Sequence, residues 1–128
     1  MLTRLKNTWR PANFHLHHKL GNNEACFEGW YFKLVDSAGA QPRAVIPGVF
    51  LGPDAHAFIQ VLDGAAGSSA YHRFRLDEFR ADAHDFNIHI GRSSFSRDRL
   101  VLDITPDDTD CKQSVQGTVR CSGWSGWP

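Results

Sequence analysis

The sequence predicts an all-β protein, either an antiparallel sandwich or a barrel, with about seven short strands. Three features of the 128-residue chain support this prediction. Apolar and polar residues alternate with a period of two, which is the spacing of half-buried strands. Turn-forming residues separate the alternating segments, and the only tract that suggests a helix is a short one at 76–83. The predicted strands cover 26–35, 44–51, 56–62, 70–76, 85–91, 99–105 and 114–120.

The first predicted strand carries a carboxyl group on an otherwise apolar face. Its even positions are Cys26, Glu28, Trp30, Phe32 and Leu34. We expect this face to turn inward, because only then does its apolar surface leave water. A carboxyl group held there is desolvated, which raises its pKa and populates its acid form near neutral pH. Glu28 is therefore a candidate proton donor; the alternative is that the strand begins at Gly29 and leaves Glu28 exposed or paired with an arginine.

The third predicted strand, 56–62, has one aliphatic face and one mixed face. His56, Phe58, Gln60 and Leu62 share the mixed face. If this face lines a cavity, His56 and Gln60 can form hydrogen bonds with a ligand hydroxyl, although a buried histidine satisfied within the core is the more common case. The aromatic residues of the first and third strands are core candidates, and around a cavity their faces also stabilise a cation. This set comprises Trp30, Tyr31, Phe32 and Phe58.

Proline and glycine mark features of the strands. Pro47 and Gly48 lie inside the apolar run 44–51, which indicates an edge strand or a bulge. Asp63 precedes Gly64, a pair typical of a turn rather than of a catalytic carboxylate.

Composition and charge limit the classes of function. Fourteen basic and fourteen acidic residues leave a formal charge of zero, so no electrostatic field favours nucleic acid. The three cysteines lack disulfide or zinc-site spacing, which favours a reducing compartment and hence the cytoplasm. His15 and His17 would share a strand face, but no cysteine or carboxylate stands at ligand spacing, so no metal is predicted. Nucleotide-binding and hydrolase motifs are absent from the sequence, and no cofactor is expected.

The segment Phe27–Lys33, which reads FEGWYFK, resembles the signature of the tocopherol cyclase family. Pro11–His15 resembles the lead-in to that signature, and Ile46–Phe50 and His56–Val61 are similar to the strands that follow it. The resemblance runs from about Trp9 to Val119.

This resemblance implies a lipocalin-like β fold and a cyclase activity. Members are about twice as long and are thought to form two β halves around a cavity, so residues 1–20 would be an extended lead-in and 21–128 a first half cut short at its end. Plant members protonate a double bond of a prenylated quinol, and the phenolic oxygen then captures the cation. In that reaction Glu28 would be the acid and Tyr31 or His56 would orient the quinol hydroxyl. Trp30 and Phe58 would flank the cation, and the proposed ligand contacts also include Phe32 and Gln60.

Two alternatives stay open at the level of sequence. One is a carrier that binds an isoprenoid or another lipid without chemistry, and the other is an inactive fragment. Glu28 pointing into a cavity would favour the enzyme, whereas an aliphatic cavity with Glu28 outside it would favour the carrier. The expected partner is a small hydrophobic molecule such as a prenylated quinol, with peripheral contact to a membrane. We also expect self-association through an apolar face that includes Phe50, Trp124 and Trp127.

Overall fold

A computed structural model of the chain describes residues 26–82 and 84–123. The predictions for the lead-in 1–20, for His15 and His17, and for Trp124 and Trp127 lie outside the described residues. The part described forms one 3₁₀ turn, Leu76–Glu78, and the following strands: β1 Cys26–Gly29, β2 Phe32–Leu34, β3 Arg43–Leu51, β4 His56–Asp63, β5 Ser68–Phe74, β6 Phe79–Ala81, β7 Asn87–Ile90, β8 Ser93–Ser96, β9 Arg99–Ile104 and β10 Val115–Arg120.

The strands form two antiparallel five-stranded sheets. In sheet A, β1 and β2 both pair with β3, which pairs with β4, which pairs with β5. In sheet B, β6 to β10 lie side by side in the order of the sequence. The prediction of an all-β antiparallel fold is confirmed, and the two sheets fit a sandwich or an open barrel.

The structure has more strands than the sequence predicted. Strand β8 reads SSFS, so only Phe95 is apolar and no alternation marks it. It forms because β7 and β9 pair with it on either side. Strand β6 follows directly after the 3₁₀ turn, in the tract where the sequence suggested a helix. Tertiary pairing therefore decides both segments, as it often does for short strands.

The first predicted strand is divided in two, and Pro47 is the reason. Gly29 pairs with Gly48 and Phe32 with Val45, so one continuous register spans β1 and β2. Opposite the gap, the Trp30 backbone N–H donates to the Pro47 carbonyl over 2.9 Å. The return hydrogen bond cannot form because proline has no N–H. The prediction that Pro47 marks an edge strand or a bulge is wrong, since β3 has partners on both sides and keeps its register.

The core lies between the two sheets. Trp30 stacks on Phe79 of β6 with ring centroids 6.3 Å apart, and Phe32 stacks on Phe95 of β8 at 5.9 Å. Phe86 contacts both Trp30 and Phe32. These contacts join the edge of sheet A to sheet B, and the burial of each large ring contributes about 2–3 kcal/mol.

Candidate ligand-binding site

The structure divides the predicted site residues between the two faces of sheet A. Residues paired across an antiparallel ladder share a face. Glu28 lies opposite Val49, which is fully buried, so Glu28 is on the inner face with Trp30 and Phe32. Phe58 lies opposite Gly48 on the outer face, which it shares with His56 and Gln60. The inward register predicted for Glu28 is confirmed, but the predicted residues do not meet in one site.

The inner-face members of the predicted set pack rather than line a cavity. Trp30 and Phe32 are almost completely buried and contact aromatic rings of sheet B. Glu28 is half-buried. Tyr31, between the two buried aromatics, keeps 53% of its surface exposed. The structure therefore separates Tyr31 from Glu28 and Trp30, its predicted partners.

On the outer face, His56 is held by hydrogen bonds at both ring nitrogens. Nδ1 lies 2.7 Å from the backbone carbonyl oxygen of Asp54, and Nε2 lies 2.7 Å from the Tyr71 hydroxyl oxygen. A carbonyl oxygen can only accept, so Nδ1 carries a proton; when Nε2 carries none, the Tyr71 hydroxyl donates to it. Burial raises the pKa of Tyr71, which keeps this hydroxyl protonated. His56 and Tyr71 thus form a defined donor–acceptor pair that sequence spacing did not reveal.

Aromatic rings surround this pair. Phe50 stacks on His56 at 5.4 Å between ring centroids, and Phe58 stacks on Tyr71 at 5.2 Å. We call Phe50, His56, Phe58 and Tyr71 the outer aromatic cluster. It is bounded by Gln60, whose side-chain amide donates to Ser69 Oγ over 3.0 Å. Two of its members, His56 and Phe58, are buried although they lie on the outer side of the sheet.

Phe58 is buried because its ring lies over two glycines that face each other. Gly29 and Gly48 are directly paired in the β1–β3 ladder. A Cβ added at Gly48 would come within 2.5 Å of Phe58 Cζ and of the Glu28 carbonyl oxygen. Gly48 therefore makes room for the ring to cover the backbone, whereas a Cβ at Gly29 would lie 3.6 Å from Phe58 Cζ, an ordinary contact. Three of the four segments quoted for the family resemblance, Phe27–Lys33, Ile46–Phe50 and His56–Val61, meet here, so packing accounts for part of that pattern.

A second region, a cleft between the open ends of the two sheets, has the character of a ligand site. Its volume is about 460 Å³ and its lining is mostly apolar. Sheet A contributes inner-face residues of β2 to β5, and sheet B contributes β9 and β10. The apolar lining comprises Leu34, Val45, Val61, Ala70, Leu100, Leu102, Val115, Gly117 and Val119. None of the residues predicted as site residues lines it.

Gly117 is exposed and leaves the cleft open to solvent beside β10. It pairs with Leu102, so its missing side chain is on the inner face of β10. A Cβ added at this position would meet no heavy atom within 4 Å. The sequence showed the alternation of Val115, Gly117 and Val119, but only the packing of the sheets shows that nothing fills the glycine position.

One ion pair stands at the end of the cleft. Arg43 begins β3 and Asp63 ends β4, and Arg43 Nη1 donates to Asp63 Oδ2 over 2.8 Å. Asp63 Oδ1 accepts from the backbone N–H groups of Ala65 and Ala66, each over 3.0 Å. The hydrogen bond from Ala66, followed by Arg43, lowers the pKa of Asp63 and keeps it ionised. The prediction that Asp63 is a turn residue is confirmed.

A polar hollow of about 560 Å³ lies between the 3₁₀ turn and the 105–112 region. Its cations are engaged within the protein: Arg73 donates to Asp54 over 2.9 Å, and Arg75 is paired with Asp77. Asp108 is similarly held by Arg92 over 2.8 Å. The charges in this hollow stabilise its own loops, and an apolar ligand would gain little there.

His72 lies on β5 opposite Ile59, on the inner face of sheet A, and is fully buried. Its Nδ1 lies 3.5 Å from Thr109 Oγ1, and no described residue offers a hydrogen bond to its Nε2. Burial lowers the pKa of His72, which favours the neutral ring. This histidine contributes to the packing of the inner face.

Searches of protein families, curated proteins and solved structures find no match for the chain. The part of the chain that the structure describes contains no helix that is long and apolar enough to cross a membrane. Over the same residues no group of three or more histidine, cysteine, aspartate or glutamate side chains is placed to bind a metal ion. Function must therefore be argued from the site itself.

Proposed function

We propose that this protein binds a small apolar molecule of isoprenoid or other lipid type in the cleft between its two sheets. The single observation that carries the proposal is the mostly apolar cleft between the two sheets, which is open to solvent beside Gly117. Apolar side chains that line a solvent-open cleft stay in contact with water, so covering them with a bound apolar molecule is favourable. Such a molecule would also gain dispersion contacts with the lining residues.

The size and lining of the cleft support this class of ligand. Sites for small molecules usually have volumes of about 300–1,000 Å³ and mostly apolar walls with a few polar groups. A volume of about 460 Å³ falls within this range. The walls are mostly aliphatic but also carry polar side chains, and the Arg43–Asp63 pair supplies charged groups at one end. The other polar lining residues are Ser68, Gln113, Ser114, Gln116 and Thr118. Glu28 is not part of this lining, which favours binding without acid catalysis in the cleft.

The proposal is tested by the binding of tritiated phytanol, a branched C20 alcohol, in equilibrium dialysis. We expect saturable binding at one site per chain. Gly117→Leu should raise the Kd about tenfold or more, because the new side chain occupies the space that the ligand needs. The substitution should not weaken the fold, since leucine has a higher β propensity than glycine.

Ser122→Leu is the matched control, because it adds the same side chain at an exposed position just after β10. Its affinity should equal that of the wild type. Equal affinity in the Gly117→Leu variant would show that the ligand binds elsewhere and would remove the basis of the proposal.

Acid-catalysed ring closure of a prenylated quinol is the second candidate function. The specific observation in its favour is the His56–Tyr71 hydrogen bond among aromatic rings on the outer face. A cyclase needs a proton donor beside aromatic faces that stabilise a cation. Glu28 and His56 lie on opposite faces of sheet A, so they do not act on one substrate there. In this version of the proposal the Tyr71 hydroxyl replaces Glu28 as the proton donor to the double bond, and its phenolate takes the proton that the quinol hydroxyl loses when its oxygen captures the cation. His56 holds the Tyr71 oxygen in place through their hydrogen bond.

Chroman formation from a prenylated quinol distinguishes the two versions of the cyclase. Tyr71→Phe keeps the ring and removes the hydroxyl, so turnover should fall about a hundredfold or more if the outer pair transfers the proton. Glu28→Gln should then leave turnover unchanged. A loss of turnover in Glu28→Gln alone would return the role to Glu28. No turnover with the wild-type chain, together with tight phytanol binding, would leave the carrier as the function.

A further inference from the structure

We infer that the ligand of the cleft carries an uncharged oxygen, a hydroxyl or a carbonyl, at the end that Arg43 binds. This inference rests on the proposed function and adds the chemical class of the ligand's polar end. It depends on the position of the Arg43–Asp63 pair, on the N–H groups that Arg43 has to offer, and on the charge balance between the two side chains.

The position of the pair sets the orientation of the ligand. Arg43, Asp63 and Ser68 stand at neighbouring strand ends of sheet A, where β3 begins, β4 ends and β5 begins. On the same face of β3 and β4, the next residue pair after Arg43 and Asp63 is Val45 and Val61, which form part of the aliphatic wall. An amphiphilic molecule therefore matches the cleft when its chain lies along the aliphatic wall and its polar end meets Arg43.

Arg43 has hydrogen-bond donors that the fold does not use. A guanidinium group carries five N–H donors in a fixed plane. Among the described residues, Arg43 donates from Nη1 to Asp63 over 2.8 Å and from Nη2 to Gln41 over 3.4 Å. The side chain keeps 47% of its surface exposed. N–H groups therefore remain for an acceptor oxygen that enters the cleft.

The charge of Asp63 favours an uncharged acceptor over a carboxylate. Asp63 is ionised and stands 2.8 Å from Arg43, so the pair has no net charge. A ligand carboxylate would gain attraction from Arg43 and suffer repulsion from Asp63 at similar distances. A hydroxyl or carbonyl oxygen accepts the same hydrogen bond without that repulsion. Both oxygens of Asp63 already accept hydrogen bonds from the protein, so the carboxylate offers little to a ligand donor.

The test compares three ligands that share one branched C20 skeleton: phytanol, phytanic acid and phytane. Dialysis at pH 7.5 keeps the acid ionised. For the wild type we expect phytanol to bind about tenfold more tightly than phytane, as a hydrogen bond to a charged donor implies. Phytanic acid should bind no more tightly than phytane. Arg43→Gln should reduce the preference for phytanol over phytane to about twofold or less.

Asp63→Asn provides the sharpest variant. The asparagine Oδ1 still accepts from Ala65 and Ala66, so the turn is kept, but the charge that repels an anion is gone. Phytanic acid should then bind about tenfold more tightly than it does to the wild type. Arg99→Gln is the control, because Arg99 is an exposed arginine outside the cleft lining, and its ligand preferences should match those of the wild type.

The outcomes separate this inference from the proposed function. Equal affinities of the wild type for phytanol and phytane would overturn the inference while leaving the cleft as the binding site. An unchanged affinity of Asp63→Asn for phytanic acid would overturn the argument from charge balance. If none of the three ligands binds to the wild type, the proposed function fails and the inference fails with it.

Discussion

Both faces of sheet A carry aromatic residues, but the rings are buried in different ways on the two faces. On the inner face, the rings of Trp30 and Phe32 stack on aromatic rings of sheet B. Further along the same face, the two sheets are separated by the open cleft. On the outer face, His56 and Phe58 are covered by Phe50, Tyr71 and each other without a second sheet. Packing within the protein thus accounts for the aromatic residues on both faces. The cleft that we propose as the ligand site is lined mainly by aliphatic residues.

This difference shows why a sequence motif and a site need not coincide. The signature segment gives the sheet its buried tryptophan, its partly buried glutamate and the glycine beneath Phe58. The residues that line the cleft come mainly from β2 to β5, β9 and β10, and none of them lies in the signature segment. A recognisable pattern can therefore report the packing of the fold, while the cleft that we propose as the ligand site is lined by residues outside that pattern's signature.

The largest expected difference in the free energy of unfolding is between substitutions of two adjacent residues on the edge of sheet A, one on the inner face and one on the outer face. Trp30→Ala should lower the free energy of unfolding by about 3–5 kcal/mol, because a buried ring that joins the sheets is lost. Tyr31→Ala should change it by about 0.5 kcal/mol or less, since more than half of Tyr31 is exposed. Urea unfolding measures both. Similar losses in the two variants would mean that the inner and outer assignments of this strand are incorrect.

The next effect comes from two glycines in strands on opposite sheets. Gly48→Ala should destabilise the protein by about 1–3 kcal/mol, because the added Cβ overlaps the Phe58 ring and the Glu28 carbonyl. Gly117→Ala meets open space and should be neutral or slightly stabilising. If both substitutions are neutral by urea unfolding, the close approach of Phe58 to the β1–β3 ladder is not a feature of the protein.

The sequence was sufficient for the fold class and for the inward register of Glu28, because period-two alternation depends only on which residues leave water. It also identified Asp63 as a turn residue from its neighbour Gly64. It could not identify β8, which contains a single apolar residue and forms through its neighbours. It could not find the cleft either, because a cavity is a property of how two sheets meet and not of any one segment.

The smallest expected effect concerns pH and the buried histidine between the sheets. The pKa of His72 is lowered by burial, so below an unfolded-state pKa of about 6.5 the unfolded chain binds more protons than the folded one. The contribution of the neutral ring to stability is therefore complete above about pH 6.5 and is lost as the pH falls from there through the folded pKa.

Urea unfolding between pH 5 and pH 8 measures this loss. His72→Leu should reduce the difference in stability between the two ends of that range. His89→Gln is the control, because His89 is half-buried on β7 and pairs with Ser94, and it should keep the wild-type pH dependence. The same pH dependence in His72→Leu and the wild type would show that other groups account for acid sensitivity.

The central claim is that the ligand binds between the sheets and not on the outer aromatic cluster. Methyl-selective NMR of the labelled chain, recorded during addition of phytanol, tests this most directly. We expect the largest chemical-shift changes at methyl groups of the cleft, such as Val45, Val61, Leu102 and Val119, with the aromatic signals of Phe58 and Tyr71 unchanged. Shifts concentrated at Phe58 and Tyr71, with the cleft methyl groups unmoved, would contradict the account.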